Sequence, residues 1–265
     1  MLPFGATVLE FSIATFFSAF IGIALIIAAS KFVRARYIAA FAFGVYLWFF
    51  TDTIGDANYL NVNAGPVFSS YTFYLVVLFL VGLVAFFAVD GRLFAVGEET
   101  ARYGMIVAVL AALAVGVHGF GEGADIGYTS SQTSIGSFLA SFGGVDAGIS
   151  WVIHKMCEPT IAAACYAAYA GIDRKRFVDK ALDALILAAV FVVPAVIGWA
   201  AGYFVTFDHT YIFALGLGAS AYAAARVVRT MFIGAGERSS GVSVKVALAI
   251  FVGFLCIFMG ALLHS

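Results

Sequence analysis

The chain has 265 residues, of which 63% are hydrophobic and only 11% charged, with a formal net charge of -1 and a mean hydropathy of +1.05. Soluble domains carry about 45–50% apolar and about 25% charged residues, so a soluble globular domain and a disordered chain are both excluded. With a net charge near zero and no long basic stretch, an electrostatic nucleic-acid binder is excluded as well.

A spanning helix needs about 20 residues. The apolar runs are long and do not alternate, so membrane strands are not expected. The fold class expected is an all-α polytopic membrane protein with eight transmembrane helices in a single domain covering 1–265. In chain order the spans are read as roughly 7–30, 38–60, 67–89, 103–127, 146–171, 182–206, 210–233 and 243–264. The N-terminus lacks a basic region, so the first run reads as a span and not as a cleaved signal. The three cysteines, Cys157, Cys165 and Cys256, lie in apolar stretches and have no framework spacing.

Charge placement tests this division. Lys31, Arg34 and Arg36 follow span one, Arg92 and Arg102 follow span three, Arg174, Lys175, Arg176 and Lys180 follow span five, and Arg238 and Lys245 follow span seven. Eleven of the 14 basic residues therefore lie on one side. By the positive-inside rule that side is cytoplasmic and both termini are extracytoplasmic. Arg226 and Arg229, inside span seven, are expected to snorkel to the cytoplasmic interface. Asp90 is read as the start of the connection after span three. The connection from Thr129 to Gly144 is the longest on the other side and reads either as a lid or as a plain loop.

Ionisable residues inside a membrane usually mark a function. Span four ends VHGFGEGADIGY, with His118 and Glu122 at i and i+4 on one face and Asp125 continuing the stripe. Span five contains WVIHKMCEPT, in which His154 and Glu158 repeat the pattern and Lys155 adds a positive charge. Two such helices facing each other would converge His118, Glu122, His154 and Glu158. These nitrogen and oxygen donors suit Zn²⁺ first, with Fe²⁺, Mn²⁺ or Co²⁺ as alternatives. Glu122, Asp125 and Glu158 set against Lys155 leave a charge of −2 for one divalent cation to neutralise. Gly116, Gly119, Gly121 and Gly123 read as a helix built to bend, and Pro159 as a break that frees the Lys155 carbonyl. The competing reading is a buried polar network that pins two helices, with Lys155 paired to a carboxylate. In span two, Asp52 and Asp56 at i and i+4 read either as solvated groups near the outer interface or as an entry funnel for cations.

With these residues in view, the sequence resembles the ZIP family of divalent metal transporters. The resemblance rests on His118-Gly119-Phe120-Gly121-Glu122-Gly123, on His154-Lys155-Met156-Cys157-Glu158-Pro159, on the small-residue run of span seven and on the closing GFLCIFMGALL. It implies an eight-helix bundle in the plasma membrane, with a metal centre between spans four and five. A group of spans one, four, five and six would move against spans two, three, seven and eight. It also implies a primary site of His118, Glu122, His154 and Glu158. The secondary site is lost, because Gly119 and Lys155 stand where the family has ligands. The function expected is transport of a divalent transition metal through one site, without catalysis and without a nucleotide-binding loop. The alternatives are an intramembrane zinc-dependent hydrolase, in which the metal would activate water, and a non-transporting metal-binding membrane protein. The partners expected are the lipid bilayer and the metal ion, with a homodimer left open.

Overall fold

The structure is a computed structural model that describes residues 4–57, 70–94, 101–132, 142, 144–169, 176–233 and 243–262. Among these residues there is no strand, and nine helices follow in order. They are α1 (Phe4–Ala29), α2 (Ala35–Ala57), α3 (Ser70–Phe94), α4 (Ala101–Gln132), α5 (Val145–Cys157), α6 (Thr160–Tyr169), α7 (Phe177–Phe204), α8 (Thr210–Ile233) and α9 (Val244–Ala261). Seven of them, all but α5 and α6, are long and apolar enough to cross a membrane. The chain is thus an all-α, multi-pass membrane protein. Of the connection from Thr129 to Gly144, residues 129–132 continue α4, whereas 133–141 and 143 lie outside the described residues.

The segment expected as span five is divided. Its helix stops at Cys157 and resumes at Thr160, in pieces of 13 and 10 residues. Proline has no amide hydrogen, and its ring crowds the carbonyl four residues back, so Pro159 ends the regular ladder there. Glu158 keeps helical backbone angles (φ −55°, ψ −46°) and donates its amide to the His154 carbonyl at 2.9 Å. Ile161 then bonds the Glu158 carbonyl at 3.2 Å, in a tighter three-residue step. The Thr160 hydroxyl donates to the Cys157 carbonyl and satisfies one acceptor that the break leaves over.

The helices associate in pairs, and small residues decide which pairs. α4 packs most extensively on α7, α3 on α8 and α2 on α9. Gly123 and Gly127 of α4 face Gly198 and Gly202 of α7, each pair spaced by four. A Cβ on Gly198 would fall 2.0 Å from the Phe120 carbonyl oxygen, and one on Gly123 would fall 2.1 Å from that of Ala195. Backbone therefore lies directly on backbone, the mode in which membrane helices gain van der Waals contact without a hydrophobic drive between them. The other two pairs repeat the device. Gly82 meets Leu215 and Gly218 meets Phe79 between α3 and α8, while Gly44 meets Ile250 and Gly253 meets Phe41 between α2 and α9. The glycines of α4 read above as a bending device thus include, at Gly116 and Gly123, close-approach positions in an unbroken 32-residue helix. Gly202→Val should lower unfolding stability by about 1–3 kcal/mol or more, as overpacking does. Gly91→Ala, where a Cβ meets nothing within 4 Å, should be neutral or raise it by up to about 1 kcal/mol. Thermal unfolding in detergent separates the two outcomes.

Two charges expected elsewhere are found in the interior. Asp90 belongs to α3 and not to a connection, and it is 4% exposed. It pairs with the Arg226 guanidinium of α8, itself 6% exposed, so Arg226 does not snorkel. The guanidinium also lies over the Tyr222 ring, 5.6 Å from its centre. The hydroxyls of Tyr169 in α6 and Thr230 in α8 converge on the Arg226 carbonyl at 3.3 and 3.0 Å.

Candidate metal centre

α4 supplies His118 and Glu122, one helical turn apart, and the break after α5 supplies Glu158. His118 is 1% exposed, and its Nδ1 meets the Val115 carbonyl one turn back. A carbonyl can only accept, so this contact assigns a proton to Nδ1 and makes Nε2 the nitrogen that would ligate a metal. The Phe49 ring stands edge-on at 4.4 Å, and the α8 backbone lies against His118 at Gly216, where a Cβ would come within 2.6 Å of the His118 backbone. The imidazole is held in one orientation as a result.

The ring presents Nε2 to two carboxylates. Glu122 Oε2 and Glu158 Oε2 each lie 3.3 Å from it. One ligand atom from each of the three residues can be chosen so that all lie within 4.8 Å of one another. Tetrahedral bonds of about 2.0–2.1 Å place neighbouring ligand atoms about 3.3–3.4 Å apart. The two separations from His118 match that edge length. One imidazole and two carboxylates, with a fourth position left over, form a donor set suited to a divalent transition metal.

Lys155 reaches into the space between these three donors. Its Nζ donates to Glu158 Oε2 at 2.8 Å and to Glu122 Oε2, and it lies 3.5 Å from His118 Nε2. The residue is 1% exposed. The three groups around it are those that would bind the metal, so the ammonium stands where a metal would collect its ligands. Its other side rests on aromatic rings, 4.6 Å from the centre of Trp151 and 5.9 Å from that of Phe191. Both distances are inside the range of cation–π attraction.

Glu122 is the most accessible member of the cluster. The Glu122 side chain is 27% exposed, against 2% for Glu158 and 1% for Lys155. Glu122 lies one turn beyond His118 toward the Gln132 end of α4, the end away from the basic connections.

The other residues expected at the site lie apart from it. His154 faces α2, its ring 5.1 Å from that of Trp48. Its Nδ1 meets the Ser150 carbonyl at 3.0 Å, and its buried Nε2 has no hydrogen-bond partner among the described residues. The four-residue set expected from the sequence is therefore a three-residue set plus Lys155. Neighbouring helical positions differ by about 100°, and it is Lys155 that turns toward α4. Asp125 is exposed, so it does not extend the buried stripe. Asp52 is half-buried in α2, and the Asp56 side chain lies outside the described residues. Trp151, which the sequence reading passed over, closes one wall. Its indole N–H donates to Thr15 of α1 at 3.3 Å. Its ring packs against Phe11 at 5.5 Å and Phe142 at 5.6 Å.

No protein-family model matches the chain, and no curated protein matches it.

Proposed function

We propose that the protein carries a divalent transition metal across a membrane through a single site made by His118, Glu122 and Glu158. The observation that carries this reading is one imidazole nitrogen with a carboxylate oxygen 3.3 Å away on each side, inside a bundle of apolar helices. In this reading α5 and α6 together make an eighth crossing. The basic connections face the cytoplasm, both termini lie outside the plasma membrane, and Glu122 is the first carboxylate an incoming ion meets. The pairings support the two groups expected from the ZIP resemblance. α4 and α1 each pack on α7, while α3 packs on α8 and α2 on α9, and α4 also packs on α8, which joins the two groups. No catalytic step is assigned. Zn²⁺ is the favoured cargo, with Fe²⁺, Mn²⁺ and Co²⁺ as competitors.

Lys155 favours a second reading, in which the cluster is a structural ion-pair network in a membrane protein that moves no metal. A divalent ion 4 Å from an ammonium would be repelled by about 8 kcal/mol at an effective dielectric of 20. Metal and ammonium therefore exclude each other from the same seat.

Uptake into proteoliposomes, with the four metals compared, distinguishes the readings. The expected result is saturable uptake that His118→Ala reduces at least tenfold, since the lost coordinate bond leaves two buried carboxylates to hold the ion. Elemental analysis of the purified protein should give at most one transition metal per chain in this site. Absence of uptake for every metal, from protein that is folded, would leave the network reading. A lipid-hydrolysis assay with and without chelator covers the hydrolase alternative.

A further inference from the structure

We infer that Lys155 is a tethered competitor for the metal seat, with a second, built resting place on the face of Trp151. On this inference one ion enters only as the ammonium leaves. The inference rests on the metal-transport reading above and specifies how that site is regulated.

Three observations carry it. The first is position: Nζ contacts both carboxylates and approaches the imidazole nitrogen, so it takes up the donors an arriving ion needs. The second is reach. Lys155 sits one turn after Trp151 in the same helix, and its Nζ is already 4.6 Å from that ring's centre. Rotation about the side-chain bonds, without movement of the backbone, carries the ammonium from the carboxylates toward the indole face. The third is that the second seat is fixed in advance. The hydrogen bond to Thr15 and the packing of Phe11 and Phe142 hold the indole in place, and the Phe191 ring of α7 lies 5.9 Å from the ammonium. An aromatic face is the one neutral surface here that attracts a cation.

The exchange keeps the charge around the carboxylates near balance at both ends of the cycle. One ammonium is present before the ion arrives, and one divalent ion afterwards. On release, the ammonium returns and blocks rebinding from the side just vacated. The ion is thereby held weakly enough to leave.

The test uses the full chain in lipid nanodiscs, titrated with Zn²⁺ alone and, separately, with Mn²⁺. Lys155→Met should bind the metal about 10–100-fold more tightly than the parent, the range over which groups beside the ligands tune affinity. Its metal release from proteoliposomes should be correspondingly slower. Trp151→Leu should weaken binding about fivefold where Lys155 is present, and should have no such effect in the Lys155→Met background. Metal titration of the parent should change the Trp151 emission, seen as the difference from a Trp151→Phe variant, and this reading holds even if Lys155→Met fails to fold. Unchanged affinity in Lys155→Met overturns the inference and leaves metal transport standing. Equal weakening by Trp151→Leu in both backgrounds, or a Trp151 emission indifferent to metal, overturns the second seat. If folded parent and folded Lys155→Met both bind neither metal, the transport reading falls and takes this inference with it.

Discussion

Glu158→Ala should lower unfolding stability by about 1.5–3 kcal/mol and abolish metal binding. Glu158 is 2% exposed and bonds the Lys155 ammonium at 2.8 Å. Its loss leaves Glu122 as the ammonium's one remaining carboxylate in the cluster, so the cost is that of a charged hydrogen bond removed and not of a charge stranded. The double variant Glu158→Ala, Lys155→Met removes both charges of that pair and leaves only the partly exposed Glu122 carboxylate, so it should recover most of the stability without recovering metal binding. Glu122→Ala should destabilise less, because its carboxylate is partly exposed and water can replace it. Thermal unfolding of the four proteins in one detergent, beside zinc titrations, checks the pattern. A double variant no more stable than Glu158→Ala would show that the ion pair is not the source of the loss.

The pair between Asp90 and Arg226 predicts a second large effect, well separated from the first in its consequences. Arg226→Met should lower stability by about 3–5 kcal/mol, since it breaks a buried ion pair whose carboxylate is 4% exposed inside the bundle. Asp90→Leu with Arg226→Met should be close to the parent. The pair ties α3 to α8 and touches none of His118, Glu122 or Glu158. Zinc affinity of folded Arg226→Met should therefore match the parent, whereas Glu158→Ala loses both properties. Loss of zinc binding in Arg226→Met at a temperature where it is folded would mean that the two regions are coupled.

Where the sequence was a good guide, the signal was local. Apolar runs longer than a bilayer's thickness gave the helices to within a few residues, and Pro159 marked the break in the fifth segment because its missing amide is a covalent fact. His118 and Glu122 share a face because one turn of helix separates them. The misreadings concern partners from distant segments. His154 and Lys155 are adjacent, and periodicity alone does not say which of them turns toward α4. That choice is made with Trp48 of α2, against which the His154 ring packs. Asp90 looked like an end to a span because charge usually punctuates apolar sequence, and its partner lies five helices further along. The glycines are a different case. Gly123 with Gly127 and Gly198 with Gly202 carry a four-residue spacing that is a recognised packing signal. The spacing was legible, yet of these four only Gly123 entered the sequence reading, as a bending position, where it serves contact.

The burial of Lys155 constrains how the protein can be made. Its charge is covered by Glu158 of its own segment, Glu122 of α4, and aromatic rings from α5 and α7. During synthesis α4 emerges first and α7 last, so the fifth segment meets the bilayer before its full surroundings exist. A lone lysine at mid-bilayer costs about 2.5–3.5 kcal/mol on insertion scales, and α5, at 13 residues, is too short to cross by itself. Pairing with Glu122 removes much of that penalty if α4 and α5 pass into lipid together as a hairpin. The carboxylate proposed to greet the cargo would then have had an earlier task, escorting the neighbouring segment into the membrane.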